Sequence, residues 1–159
     1  MFSFCIPTEF VFGSGSFKKL YQYRMPGKKA LIVTTNGGSV KRLGYLNELE
    51  KQLEKSDVSF EVFDGIEPNP ITDNIMAAAA KAKETNCDFV IGFGGGSPMD
   101  SAKLIALAAT NPGNIWDYCQ KGTGGRKQPE NTPLPVVCIS TTAGTGSEAD
   151  NSGMVTNSV

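Results

Sequence analysis

The sequence predicts an α/β fold, an open and mostly parallel β-sheet with helices on both faces. From residue 28 onward, short apolar runs typical of strands alternate with longer segments that have helical spacing. This alternation implies parallel strands joined by right-handed crossovers. In addition, both glycine-rich loops come directly after apolar runs, and open α/β sheets bind ligands at the carboxyl ends of their strands.

Six segments have the composition of strands. Residues 2–12 alternate loosely between apolar and polar side chains, and we expect them to pair at an edge of the sheet. The run KKALIVTT (28–35) is bounded on both sides by turn residues, which is typical of a buried strand. The remaining predicted strands are VSFEVFD (58–64), CDFVIGF (87–93), LPVVCIS (134–140) and GMVTNSV (153–159).

Helical spacing fills the intervals between these runs. Three leucines recur on one face of a helix predicted from Tyr45 to Lys55. Either Thr72 or Asp73 is a suitable N-cap for the helix that contains NIMAAAAKAKET. Another helix is predicted from Pro98 to about Thr110, with shorter helical segments near residue 14 and within NPGNIWDYC (111–119).

Composition excludes several classes of protein. The formal charge is -1, so no strong field attracts the chain to nucleic acid or to an anionic membrane. No apolar run approaches the ~20 residues that a membrane-spanning helix needs, and the N-terminus lacks the features of a signal peptide. None of the four cysteines belongs to a CxxC pair, which favours reduced thiols and a cytoplasmic location.

The first glycine-rich loop lies in FVIGFGGGSPMD (89–100). Serine is a favoured N-cap, proline is favoured at the first helical position, and an acid at the third can complete a capping box, so Ser97 and Asp100 predict a helix start. Unpaired amides at such a terminus bind anions. Gly94, Gly95 and Gly96 let a phosphate approach the backbone. A tight turn without a ligand is the alternative, because the loop matches neither the Walker A motif nor GxGxxG.

The second small-residue loop is STTAGTGSE (140–148). Thr141, Thr142, Thr145 and Ser147 can donate hydrogen bonds to phosphate or ribose oxygens. Such a loop alone is weak evidence, and an ordinary polar turn is the alternative. Two such loops at neighbouring strand ends favour a nucleotide site more strongly than either does alone.

These motifs resemble those of the iron-containing (group III) alcohol dehydrogenases. The resemblance rests on GFGGGSPMDSAK, followed about forty residues later by PLPVVCISTTAGTGSE, on the opening PTEFVFGSGSFKKL and on the turn DGIEPNP. It implies a Rossmann-type, dehydroquinate-synthase-like nucleotide-binding domain, and an enzyme that interconverts alcohols and aldehydes or ketones. It also implies that the pyrophosphate and nicotinamide contacts, together with one residue by the cleft, are Gly95, Gly96, Ser97, Asp100, Thr141, Thr142, Thr145 and Asn69.

The same resemblance implies a metal site outside this chain. In the family, iron or another divalent metal is held by one aspartate and three histidines of a C-terminal helical domain. This chain of 159 residues contains no histidine. We therefore expect residues 1–159 to be an N-terminal dinucleotide-binding domain, truncated at its C-terminal end, without the helical domain and inactive alone. The alternatives are an inactive nucleotide-binding or interaction fragment and a glycerol-dehydrogenase-like relative.

Cofactor choice is predicted from the turn after the run ALIVTT. An acidic residue after an early strand of a dinucleotide fold favours NAD, and a neutral or basic replacement makes room for NADP. No Asp or Glu occurs between Lys28 and Glu48. Gly37 and Gly38 leave space, Ser39 offers a hydroxyl, and the cations that follow can neutralise a phosphate. We expect NADP, with NAD possible; the alternative is that the cations face solvent.

The expected partners are small. The family resemblance implies an alcohol or aldehyde substrate, and composition argues against nucleic acid and membranes. Family members often dimerise near their N-terminus, so a homodimer through residues 2–12 is expected, with an intramolecular hairpin as the alternative.

Overall fold

A four-stranded parallel sheet forms the centre of the protein. The structure is a computed structural model and describes residues 8–36 and 38–157. The strands are β1 (Lys29–Thr35), β2 (Ser59–Ile66), β3 (Phe89–Gly94) and β4 (Val136–Ser140), in the spatial order β2-β1-β3-β4. Each neighbouring pair is parallel, which confirms the predicted sheet.

Helices connect the strands as predicted. They are α1 (Ser39–Arg42), α2 (Tyr45–Glu54), α3 (Thr72–Glu84) and α4 (Gly96–Thr110). Two 3₁₀ helices, Ser16–Gln22 and Ile115–Tyr118, correspond to the two short helical segments. The second of these begins with a capping box between Asn114 and Asp117.

Two apolar clusters lie on opposite faces of the sheet. Leu31 and Val33 of β1 pack with buried residues of α3 and α4, whereas Ala30 and Ile32 pack with the leucines of α2. Alternate residues of one strand therefore serve both cores. All six residues of β3 are buried, as expected for a strand covered on both faces. The expectation of helices on both faces is confirmed.

Two predicted strands are not present in the described residues. Residues 8–12 form no strand, and Phe10 and Phe12 are exposed; residues 2–7 lie outside the described part. Near the other end, Thr156 makes only an isolated bridge to Ile71, and residues 158–159 lie outside the described part. An alternating pattern forms a strand only where a neighbour supplies hydrogen bonds, and the described residues supply none for 8–12.

Both predicted helix caps are wrong. Thr72 and Asp73 are the first residues within α3, and the Thr72 amide donates to the Thr156 carbonyl at 3.1 Å. Helix α4 begins at Gly96 with Gly95 as its N-cap and no side-chain cap. Asp100 does not complete a capping box, because its carboxylate accepts from the Met154 amide at 3.1 Å. Asp100, which the local sequence assigned to the start of its own helix, therefore binds the distant Met154 amide instead.

Candidate functional site

The two small-residue loops meet at the carboxyl edge of the sheet. Strand register places Gly94 opposite Ser140, and the Thr141 amide donates to the Gly94 carbonyl at 2.8 Å. The glycine cradle (Gly94–Ser97) therefore lies directly beside the hydroxyl loop (Ser140–Ser147). The predicted juxtaposition of these loops is observed.

A cavity of about 340 Å³ opens between them. Its lining includes six of the predicted site residues, together with Pro70 and residues 154–156: Asn69, Gly96, Ser97, Asp100, Thr145 and Ser147. Four other predicted site residues do not line the cavity: Gly94 and Gly95 of the cradle, and Thr141 and Thr142 of the hydroxyl loop.

The glycines of the first loop have different tasks. At Gly92 a Cβ would stand 2.8 Å from the Met99 Cα, so the bare backbone lets α4 lie close against β3. Gly94 has φ 146°, and a Cβ there would stand 2.7 Å from Pro98 Cγ. At Gly96 a Cβ would point between the loops, 3.4 Å from Ser147 Oγ. The last of these glycines therefore keeps open the space that a ligand would enter.

The first turn of α4 faces this space with its amides uncapped by side chains. It contains no acidic residue, so the positive end of the helix dipole is not neutralised there. Gly95 and Gly96 are half-buried and carry no side chain, so this arrangement provides hydrogen-bond donors for an anionic group.

The hydroxyl loop supplies side-chain donors on the opposite side of the cavity. Thr145 Oγ1 accepts from the Ser147 amide at 3.4 Å, which turns the loop toward α4. Ser147 is 6% exposed, whereas Thr141 and Thr142 are exposed. The Ser140 hydroxyl donates to the Thr142 carbonyl at 2.9 Å. The loop thus offers hydroxyls to the cavity while its backbone is held by its own polar contacts.

Residues 150–157, the wall segment, close the cavity and were not predicted as part of the site. Lys103 Nζ donates to the carboxylate of Asp150 at 2.5 Å and to the Ser152 carbonyl at 2.7 Å. Asp100 accepts from Met154, as described above. Burial opposes the charged form of Asp150, but the hydrogen bond from Lys103 holds the pKa of that carboxyl below its usual value. Asp100 and Lys103 therefore fix the wall segment on α4.

Close packing reinforces this contact. A Cβ on Gly153 would stand 2.7 Å from the Asp100 carbonyl and 3.0 Å from Leu104 Cγ. The Thr156 amide donates to the Pro70 carbonyl at 2.8 Å. The wall segment therefore joins the loop after β2 to helix α4. In the sequence, Gly153 at the start of the strand-like run GMVTNSV was the feature that could have indicated this close contact.

The residues predicted for the adenosine side lie apart from the cavity. Gly38 is the N-cap of α1, and Ser39 is exposed; neither lines the cavity. Gly37 lies outside the described residues. Lys41 does not simply face solvent, because it forms an ion pair with Asp64 of β2. The hydrogen bond from Lys41 holds the pKa of Asp64 below its usual value, and sequence reasoning missed this acid.

Metal-binding side chains do not come together in the part of the chain that the structure describes. No group of three or more aspartate, glutamate or cysteine side chains there could hold a metal ion, and the sequence has no histidine. The residues that the structure describes therefore do not fit a metal centre. None of the helices in residues 8–36 and 38–157 has the length and hydropathy of a membrane span.

The open parallel sheet, with its ligand-sized cavity at the carboxyl edge, defines an α/β domain of the nucleotide-binding type. The family model described as iron-containing alcohol dehydrogenase matches residues 7–159. The chain therefore belongs to the iron-containing alcohol dehydrogenase family, as the sequence motifs predicted.

Individual relatives agree with this assignment. The chain is 35% identical over 156 residues to the probable NADH-dependent butanol dehydrogenase 1 of Bacillus subtilis, covering 98% of this chain and 39% of the relative. It is 37% identical over 156 residues to the NADPH-dependent aldehyde reductase YqhD of Escherichia coli, covering 97% and 38%. The chain thus spans about two-fifths of the length of these relatives.

Solved structures show the same fold. The NADH-dependent butanol dehydrogenase A of Thermotoga maritima matches with a TM-score of 0.87 and 32% identity, over 99% of this chain and 38% of that structure. A halo-thermophilic archaeal alcohol dehydrogenase from a Red Sea brine pool matches with a TM-score of 0.88 and 33% identity, over 99% and 40%.

Proposed function

We propose that this chain is the dinucleotide-binding portion of a metal-dependent NAD(P) alcohol dehydrogenase. The observation that carries the proposal is the uncapped start of α4, which opens through Gly95 and Gly96 into a cavity edged with hydroxyls. Relatives whose names specify NADH or NADPH dependence support the same cofactor class. In such an enzyme the cofactor carries the hydride chemistry.

Each loop has a distinct part in this proposal. The amides of the glycine cradle bind the pyrophosphate, and the cavity beside the hydroxyl loop takes the nicotinamide half. Asn69, which has φ 59°, borders that cavity from the loop after β2. The wall segment excludes water from the far side of the cavity.

The substrates are small alcohols and aldehydes or ketones, and residues 8–36 and 38–157 bring together no set of side chains that could hold a metal ion for them. We expect residues 1–159 to bind cofactor without turning over alcohol, even with iron or zinc added. Turnover by the chain alone would refute this expectation. The other candidate, an inactive binding module, predicts that no protein containing this chain oxidises an alcohol. The names of its relatives, a butanol dehydrogenase and an aldehyde reductase, favour the dehydrogenase.

Equilibrium binding tests the proposal directly. Calorimetric titration of the intact protein with NADPH and NADH should show binding, and inorganic pyrophosphate should compete. Adenosine, which lacks phosphate, should compete poorly because the cradle recognises an anion. Failure of both dinucleotides to bind would refute the proposed function. We favour NADPH as the tighter ligand, since no acid follows β1 before Glu48.

Self-association is a separate prediction. Phe10 and Phe12 are 55% and 102% exposed, and apolar side chains in that condition favour a contact with a second copy. Light scattering at several concentrations tests for a homodimer; a monomer at every concentration would remove this proposal.

A further inference from the structure

The carboxyl end of β2 carries a bulge. Val33 pairs with Phe63 and Thr35 pairs with Ile66, so two residues of β2 lie opposite one residue of β1. The two residues in the bulge are Asp64 and Gly65. A bulge bends its strand and changes the direction of a side chain, and bulges are frequent beside active sites.

Asp64 leaves this bulge to meet helix α1. Its carboxylate accepts a hydrogen bond from Lys41 Nζ, and the two side chains are 49% and 39% exposed. The other acid of β2 that forms ion pairs, Glu61, is held more loosely, at 3.7 Å from Lys29 and from Lys81. The Lys41–Asp64 pair therefore connects the segment after β1 to the end of β2, while both charges remain accessible to a ligand.

This pair lies on the side of the cradle opposite the cavity. The strand order is β2-β1-β3-β4, and the hydroxyl loop follows β4 at one edge of the sheet. Toward the other edge, Lys41 lies in the helix after β1, and Asp64 lies near the carboxyl end of β2. The two halves of a dinucleotide extend to opposite sides of its pyrophosphate. This step rests on the proposed function, in which the nicotinamide half lies beside β4. The adenosine half then reaches the carboxyl ends of β1 and β2.

The chemistry of the pair matches the part of the cofactor that distinguishes NAD from NADP. In dinucleotide folds, an acid near an early strand end accepts from the ribose 2′-hydroxyl, and a nearby cation accommodates a 2′-phosphate. Here both groups are present and bonded to each other. A 2′-phosphate would have to compete with Asp64 for Lys41, and it would also be repelled by the Asp64 carboxylate.

We propose that Lys41 and Asp64 together set the preference between NADPH and NADH. Asp64 accepts from the ribose hydroxyl of NADH and weakens the attraction of Lys41 for the 2′-phosphate of NADPH. Lys41 gives NADPH its counter-charge. Asp64 of β2 therefore opposes, without replacing, the preference for NADPH that follows from the absence of an acid directly after β1.

Two variants and their combination test this proposal by the ratio of NADPH to NADH affinity, measured by fluorescence titration of the intact protein. Asp64→Asn keeps the shape of the side chain and removes its charge, so the ratio should rise about tenfold. Lys41→Met should lower it about tenfold. Unit charges a few Å apart near a protein surface interact strongly enough for changes of this size. The double variant should gain less NADPH affinity than Asp64→Asn alone. The gain in Asp64→Asn comes from releasing Lys41 to bind the 2′-phosphate, and the double variant lacks that lysine.

Glu61→Gln is the matched control, since Glu61 is also an ion-paired acid of β2 but lies farther from its carboxyl end. The ratio of NADPH to NADH affinity of this variant should stay within about twofold of the ratio for the unchanged protein. An unchanged ratio in Asp64→Asn, or an equal loss of both cofactors, would overturn the inference and leave the proposed function in place. Failure of the unchanged protein to bind either cofactor would overturn both.

Discussion

Substitution of Gly96 by valine tests whether the glycine cradle holds a phosphate. An added Cβ would lie 3.4 Å from both Ser147 Oγ and Thr145 Cγ2, and the two methyl groups of valine would extend farther into the gap between the loops. The backbone itself can accept the change, because Gly96 is within the first turn of α4 and has no positive φ. Binding should therefore suffer more than folding.

The expected loss can be estimated from the contacts that a phosphate would make. A hydrogen bond to a charged group contributes about 1.5–3 kcal/mol. Because every 1.4 kcal/mol is about tenfold in a binding constant, loss of one such bond should weaken NADPH binding by roughly 10- to 100-fold. The free energy of unfolding should change by less, by about 1 kcal/mol, because Gly96 is half-buried and the side chains of Thr145 and Ser147 need to move only slightly.

Calorimetric titration with NADPH and chemical denaturation separate these two effects. Thr110→Val, at the opposite end of α4, is the matched control and should leave binding unchanged. If Gly96→Val bound NADPH as tightly as the unchanged protein, phosphate recognition by the cradle would be refuted. A large loss of stability would instead show that Gly96 serves packing.

Three further predictions concern α4 and its contacts. Gly92→Ala should destabilise the fold by about 1–3 kcal/mol in denaturant titrations, because its Cβ would meet the Met99 backbone at 2.8 Å; unchanged stability would contradict the close packing of α4 on β3. Asp100→Ala should increase hydrogen exchange at the Met154 amide, whereas Asp100→Asn, which retains an acceptor, should restore protection; equal exchange in both would contradict the contact. The lowered pKa of Asp150 contributes stability above its unfolded value near 3.8, and this stability is lost as pH falls through the lower folded value. Thermal melts should therefore show a decrease below about pH 4 that is smaller in Lys103→Met.

Local patterns in the sequence predicted most of the fold. Continuous apolar runs predicted β1 and β3, which are buried along most of their length, since a strand covered on both faces has an apolar side chain at most positions. Alternation predicted β2, which is mostly half-buried. Residues 8–12 show the limit of this reasoning. These residues do alternate between apolar and polar side chains. Such alternation predicts which face of a sheet each side chain would occupy, but it does not provide the neighbouring strand that must supply hydrogen bonds.

Site prediction succeeded where the chemistry is local and failed where it is tertiary. The glycine cradle and hydroxyl loop were recognised because each is a short stretch with an unusual composition. The partners of Asp100 and Lys41 lie 54 and 23 residues away. No local rule distinguishes an acid that caps its own helix from one that accepts a distant amide, so the capping box at Asp100 was wrong. The caps predicted at Ser97 and at Thr72 or Asp73 were wrong because α4 already begins at Gly96 and α3 at Thr72.

The wall segment has a consequence for the order in which the protein folds. Thr72 contacts Asn157 across 85 residues, so the cavity is complete only after a long loop has closed. Closing such a loop is entropically unfavourable before its contacts compensate, and contacts of this kind form slowly. A chain emerging from the ribosome could assemble β1, β2 and β3 well before it acquires a finished binding site. Cofactor in the cell would then stabilise the last step of folding rather than the first, and would protect that segment from proteolysis while it remains bound.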